Sequence, residues 1–113
     1  MSTRANIKII GESYQTTILY RHCDGYPLGL GAELDDFVSN HGYEPIYTDN
    51  YAKEIIKSLG EDIEFTTSIH GDIEYLYVIN LVEKNYSMYK VIYNYNKNWN
   101  EGRQNFVKIE NYE

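Results

Sequence analysis

Cysteine is nearly absent from the 113 residues: Cys23 stands alone, so no intramolecular disulfide can form and the chain reads as an intracellular protein whose core needs no staple. Proline occurs only at Pro27 and Pro45, which leaves most of the chain free to form regular elements. Long apolar runs are missing too. Nothing reaches the length of a membrane span, and the six residues before Ile7 are too few for a signal sequence. Positive charge is scarce, with ten Lys and Arg against seventeen Asp and Glu for a formal charge of −7. The deficit is spread evenly: residues 1–60 hold eight acids and five bases, residues 61–113 nine and five. Global steering toward duplex nucleic acid is therefore disfavoured, which leaves room for a local basic pocket on the acidic body. What the chain has in quantity is tyrosine, 13 copies, which lifts the aromatic share to 15% and suits cores and binding surfaces equally. Its length fits one domain spanning residues 1–113.

Two apolar-alternating runs, residues 5–10 and 15–21, flank Gly11-Glu12-Ser13-Tyr14 and predict a hairpin with a four-residue connection. After Pro27, Leu30, Leu34, Phe37 and Val38 fall on one helical stripe that stops at Gly42. A second stripe, Ala52, Ile55, Ile56 and Leu59, starts behind Thr48 or Asp49 as cap and stops at Gly60. The pattern then turns to strands over 63–68, 73–82 and 86–93, an Asn-rich loop over 94–104, and a short strand over 106–109. The order ββααβββ, with a possible C-terminal strand, predicts an α+β fold: an antiparallel sheet of five to six strands with two helices on one face. Residues 73–82 are apolar at almost every position, as in a central strand covered on both sides. Helices cover only one face, so the tyrosine-rich face calls for the C-terminal loop, a ligand or a second copy, and a homodimer or higher oligomer is expected.

The densest group of chemically versatile residues is Tyr20-Arg21-His22-Cys23-Asp24-Gly25-Tyr26-Pro27. If Ile10 pairs with Gln15, cross-strand numbers sum to 25 and Arg4 faces Arg21, two cations that ask for an anion between them. Gly25, Gly29 and Gly31 then bring backbone close, and a helix start behind them offers free N–H donors. Arg4, Arg21, His22, Asp24 and Tyr26 are therefore the expected ligand site, with Asp24 orienting an arginine in the empty state and Tyr26 stacking on a base. The competing reading is a solvated strand face followed by ordinary turn residues. Catalysis and cofactors find little support. His22 and Cys23 are adjacent on a strand end and point apart. Cys23 reads as a small buried apolar residue. His22, His41 and His70 lack metal-ligand spacing, and no phosphate-loop motif occurs.

At these residues the sequence resembles a group of small phage and prophage proteins that open with Ser-Thr-Arg-(Ala/Ser)-x-Ile and carry Tyr-Arg-His-x-Asp-Gly-Tyr-Pro, here Ser2 to Ile7 and Tyr20 to Pro27. The resemblance implies a viral or mobile-element origin and action in the cytoplasm of an infected bacterium, where small acidic proteins often counter host immunity. Two functions fit that setting. One is sequestration of a nucleotide-derived immune signal, a phosphate-bearing small molecule, without catalysis. The other is inhibition of a defence effector or nuclease by an acidic protein-binding surface. The arginine pair favours the first, the net charge the second.

Overall fold

The computed structural model describes residues 2–60, 62–94 and 103–110. It is an α+β protein with one six-stranded sheet in the order β3-β2-β1-β4-β5-β6. The strands are β1 (Ala5–Ile10), β2 (Thr16–Arg21), β3 (Ile63–Thr66), β4 (Tyr75–Asn80), β5 (Asn85–Asn94) and β6 (Arg103–Ile109). Helices α1 (Ala32–His41) and α2 (Thr48–Leu59) separate β2 from β3.

Both helical stripes form where the spacing places them. In α1, Leu34, Phe37 and Val38 are buried. Beyond it Gly42 takes φ +81°, a left-handed conformation that a side chain would strain. Leu30 belongs to a π-helical turn over Pro27–Gly31, with Pro27 at its first position. In α2, Tyr51, Ala52 and Ile55 are buried while Ile56 and Leu59 are only partly covered, so the stripe is rotated toward Tyr51. Thr48 and Asp49 do not cap α2 through their side chains. They turn to β2 instead: the Thr17 hydroxyl donates to Asp49 Oδ1 at 2.5 Å and lies 2.8 Å from the Thr48 hydroxyl.

The sheet is mixed rather than wholly antiparallel: β1 and β4 run parallel, Ala5 beside Tyr75 through Ile10 beside Asn80. Every other pairing is antiparallel. The exception arises because β3 adds to the outer edge of β2, and residues 67–74 must cross β2 and β1 to start β4. That crossover runs over the face away from the helices. Ile69 and Ile73 pack there with Tyr20, Leu76 and Val91, a second and smaller core. The main core lies between sheet and helices, with Ala5, Ile7, Ile9, Leu19, Tyr77 and Ile79 from the strands. Strand β4 is thus covered on both faces by chain. The Asn-rich 94–104 stretch lies mostly outside the described residues, and the last strand starts at Arg103, three residues earlier than the pattern predicts. No helix among the described residues is long and apolar enough to cross a membrane.

Candidate functional site

The hairpin register decides where the arginines go. Its connection has five residues, Gly11–Gln15, closed by Gly11 N–H donating to the Gln15 carbonyl at 2.8 Å. Ser13 and Tyr14 both adopt positive φ, 57° and 63°. The extra residue shifts pairing so that Ala5, not Arg4, stands opposite Arg21. Because side chains alternate, one step sends β2 to the other face. The expected pair of facing cations does not form: Arg21 points into the helix side with Ala5, and Arg4 reaches the crossover side.

Arg21 leaves only 8% of its side chain exposed. Its Nη1 sits 2.8 Å from Glu33 Oε1 at the start of α1, and its Nε 3.2 Å from Asp62 Oδ2 just before β3. Burial works against the guanidinium charge, but these two carboxylates outweigh it and hold the charged form. Burial also pushes the Asp62 carboxyl up, yet the Arg21 charge and the hydrogen bonds from Cys23 and Arg21 pull it below its ordinary value. Cys23 is half-buried, and its Sγ donates to Asp62 Oδ2 at 3.4 Å. That hydrogen bond, more than burial, raises the thiol pKa and favours the protonated form.

The turn after β2 is built for packing. Asp24 does not orient an arginine; it is exposed at φ +54°, and its carbonyl accepts the Leu30 N–H at 2.9 Å. Gly25 lies so close to the N-terminal segment that a Cβ would stand 2.8 Å from the Ala5 Cβ and 2.9 Å from the Thr3 carbonyl. Its own carbonyl accepts the hydroxyl of fully buried Tyr77 at 2.5 Å. Tyr26 is partly exposed and its ring lies along Gly29. The backbone donors expected behind the glycines are engaged: Gly29 and Gly31 N–H both reach the Tyr26 carbonyl, at 2.9 and 3.3 Å. An anion arriving here meets no facing cation pair, and the N–H groups of Gly25, Gly29, Leu30 and Gly31 are already engaged.

On the crossover side, buried Tyr20 gathers residues that are distant in sequence. Its hydroxyl donates to Asp72 Oδ2 at 3.1 Å, and Arg4 Nε lies 3.5 Å from the same oxygen. Burial, then Asp72, raises the phenol pKa. His70 stacks on the Tyr20 ring at 3.9 Å and His22 meets it edge-on at 4.7 Å. His22 Nε2 is 3.9 Å from Glu64 Oε1 and well exposed. His70 is tied down, its Nε2 2.9 Å from the Thr66 hydroxyl and its N–H donating to Asn6 Oδ1 at 2.8 Å. Of the five expected site residues, Arg4 and His22 thus converge here around Tyr20, while Arg21 sits across the sheet. Of the residues that complete the two clusters, Asp62, Glu64, His70 and Asp72 are invisible to spacing because β3 and the segments flanking it deliver them. Glu33 does have a sequence signal, an acid in the first turn of α1, but the helix dipole favours a carboxylate there whatever its role.

Among the described residues no group of three or more His, Cys, Asp or Glu is placed to hold a metal ion. A cleft of about 350 Å³ between the helices, lined by Glu33, Asp36, Phe37 and His41, extends the acidic character outward from the Arg21 pair. No family model, curated protein or solved structure matches the chain, so its chemistry is read from these side chains alone.

Proposed function

We propose that this chain is a phage-type accessory protein that counters host defence by binding without catalysis, and that its target is a basic defence effector or nuclease. One observation carries the reading. The arginines at the ends of β1 and β2 are neutralised from within, Arg21 by Glu33 and Asp62 and Arg4 by Asp72. The cationic cradle a phosphate needs is therefore lacking at these residues, while the charge of −7 is left to act outward on a cationic partner. Self-association belongs to the same proposal. Strand β6 ends the sheet, with Val107 exposed near Ile92 of β5 on one face and Phe106 exposed on the other, an edge suited to a second copy.

Signal sequestration is the second reading, favoured by a specific feature: Arg4, His22 and Tyr26 keep exposed surface at one end of the sheet. A phosphate would have to displace Asp72 from Arg4. The deciding experiment sets purified protein against basic defence nucleases by calorimetry at low and high salt, and against cyclic nucleotides and ADP-ribose derivatives by thermal shift. Binding to a nuclease that weakens steeply with salt supports inhibition. A nucleotide that raises the melting temperature and returns unaltered on heating overturns it for sequestration, and an altered nucleotide overturns it for an enzyme.

A further inference from the structure

Tyr14 is the most exposed large apolar side chain described, 99% accessible at the tip of the β1–β2 connection. Its backbone takes the left-handed conformation, as does Ser13 before it, which a two-residue glycine turn would avoid. The tip nonetheless stands on a fixed base. Gln15 N–H donates to the Glu12 carbonyl at 3.0 Å, and a Cβ on Gly11 would stand 2.8 Å from Thr48 Cγ2, so the loop is seated on the start of α2. A cleft opens on each side: one of about 430 Å³ with Val82 and Glu83, the other of about 470 Å³ with Tyr47, Glu12 bordering both. Tyr47 and Val82 are themselves more than half exposed.

We propose that this end of the molecule is a docking surface for an arginine- or lysine-rich segment of a partner protein, which straddles Tyr14 and lays basic side chains into the two clefts. The chemistry matches side by side. Aromatic faces at Tyr14 and Tyr47 attract guanidinium groups, the apolar walls take the methylene stems, and the Glu12 and Glu83 carboxylates meet the charged heads. A strained but anchored loop has already lost the freedom that binding would otherwise remove. The inference rests on the reading that the partner is a basic protein and names where it is held.

The test is selection of a displayed library of constrained random peptides on the wild-type chain, with Tyr14→Gly as counter-target. Glycine removes the ring and relieves the positive φ, so the variant should melt about 2–5 °C higher while binding the selected peptides about tenfold or more weakly. Tyr14→Asn, which also tolerates this conformation, should lose binding alike, and Leu28→Ser, beyond the other end of β2, should leave it unchanged. Enrichment of basic peptides lost in both Tyr14 variants supports the surface. Failure to enrich, enrichment of acidic or uncharged peptides, or equal binding by Tyr14→Gly overturns it, as does a dimer that this variant alone abolishes. A defence nuclease that binds wild type and Tyr14→Gly equally retires this surface and leaves the inhibitor reading standing. Basic peptides held at Tyr14 when no defence nuclease binds keep the surface and retire that role.

Discussion

Replacing Arg21 and replacing its partners should have unequal effects, because the three groups differ in burial. The arginine is 8% exposed, whereas Glu33 and Asp62 keep 43% and 40% of their side chains in solvent. In Arg21→Met the two carboxylates rehydrate, the apolar stem stays packed, and the expected change is within about 1 kcal/mol of neutral. In the double variant Glu33→Ala/Asp62→Ala a guanidinium is stranded beneath α1 without a counter-charge. That loss should reach about 3–5 kcal/mol, a large part of the total for a domain of this size. With a urea slope of about 1.5 kcal/mol per molar, the midpoint falls by about 2–3 M. Acid titration adds a second reading. The folded-state pKa of Asp62 lies below 3.8, so its contribution is present above about pH 4 and is lost as pH falls through the folded value. Arg21→Met should flatten that acid-side loss. If Arg21→Met costs as much as the double carboxylate variant, the pair is not the buried and internally neutralised site on which the functional argument stands.

Tyr77→Phe should cost about 1–2 kcal/mol by urea unfolding, since it deprives the buried Gly25 carbonyl of its donor at 2.5 Å. Leu34→Ala and Ile55→Ala, both at fully buried positions, should each cost about 2–5 kcal/mol. Ile56→Ala, only partly covered, should cost less than about 1.5 kcal/mol, and equal losses at Ile55 and Ile56 would show that the helix sits otherwise. Light scattering at micromolar concentration should read at least two chains, and a single 13.3 kDa unit would refute self-association.

The elements that announce themselves in the sequence are those governed by local chemistry. Gly42 and Gly60 end α1 and α2 because both occupy positive φ, and the apolar density of Leu76 to Ile79 reports burial on both faces. The register of the first hairpin was not legible, because Ser13 and Tyr14 take a conformation more usual for glycine and lengthen the loop by one residue. That step alone moves Arg21 to the helix side of the sheet and removes the expected facing pair with Arg4. The parallel β1–β4 pair was hidden for another reason: strand periodicity reveals which face is buried but not which neighbour lies beside it, and β3 could have added at either edge. Ile69 and His70 read as the surroundings of a turn until the crossover lays them on Tyr20.

The β1–β4 ladder joins two half-sheets, one formed by β1, β2 and β3, the other by β4, β5 and β6. Its first rung joins Ala5 to Tyr75, a separation of 75 − 5 = 70 positions. During synthesis, β1 therefore emerges long before its inner neighbour exists, with one backbone edge bare and Ile7 and Ile9 flanking it. Pairing across such a span is slow, and an edge kept waiting is open to any other extended strand. The inner edge of β1 therefore waits for residues 75–80, and a chain truncated before them would leave that edge open to aggregation.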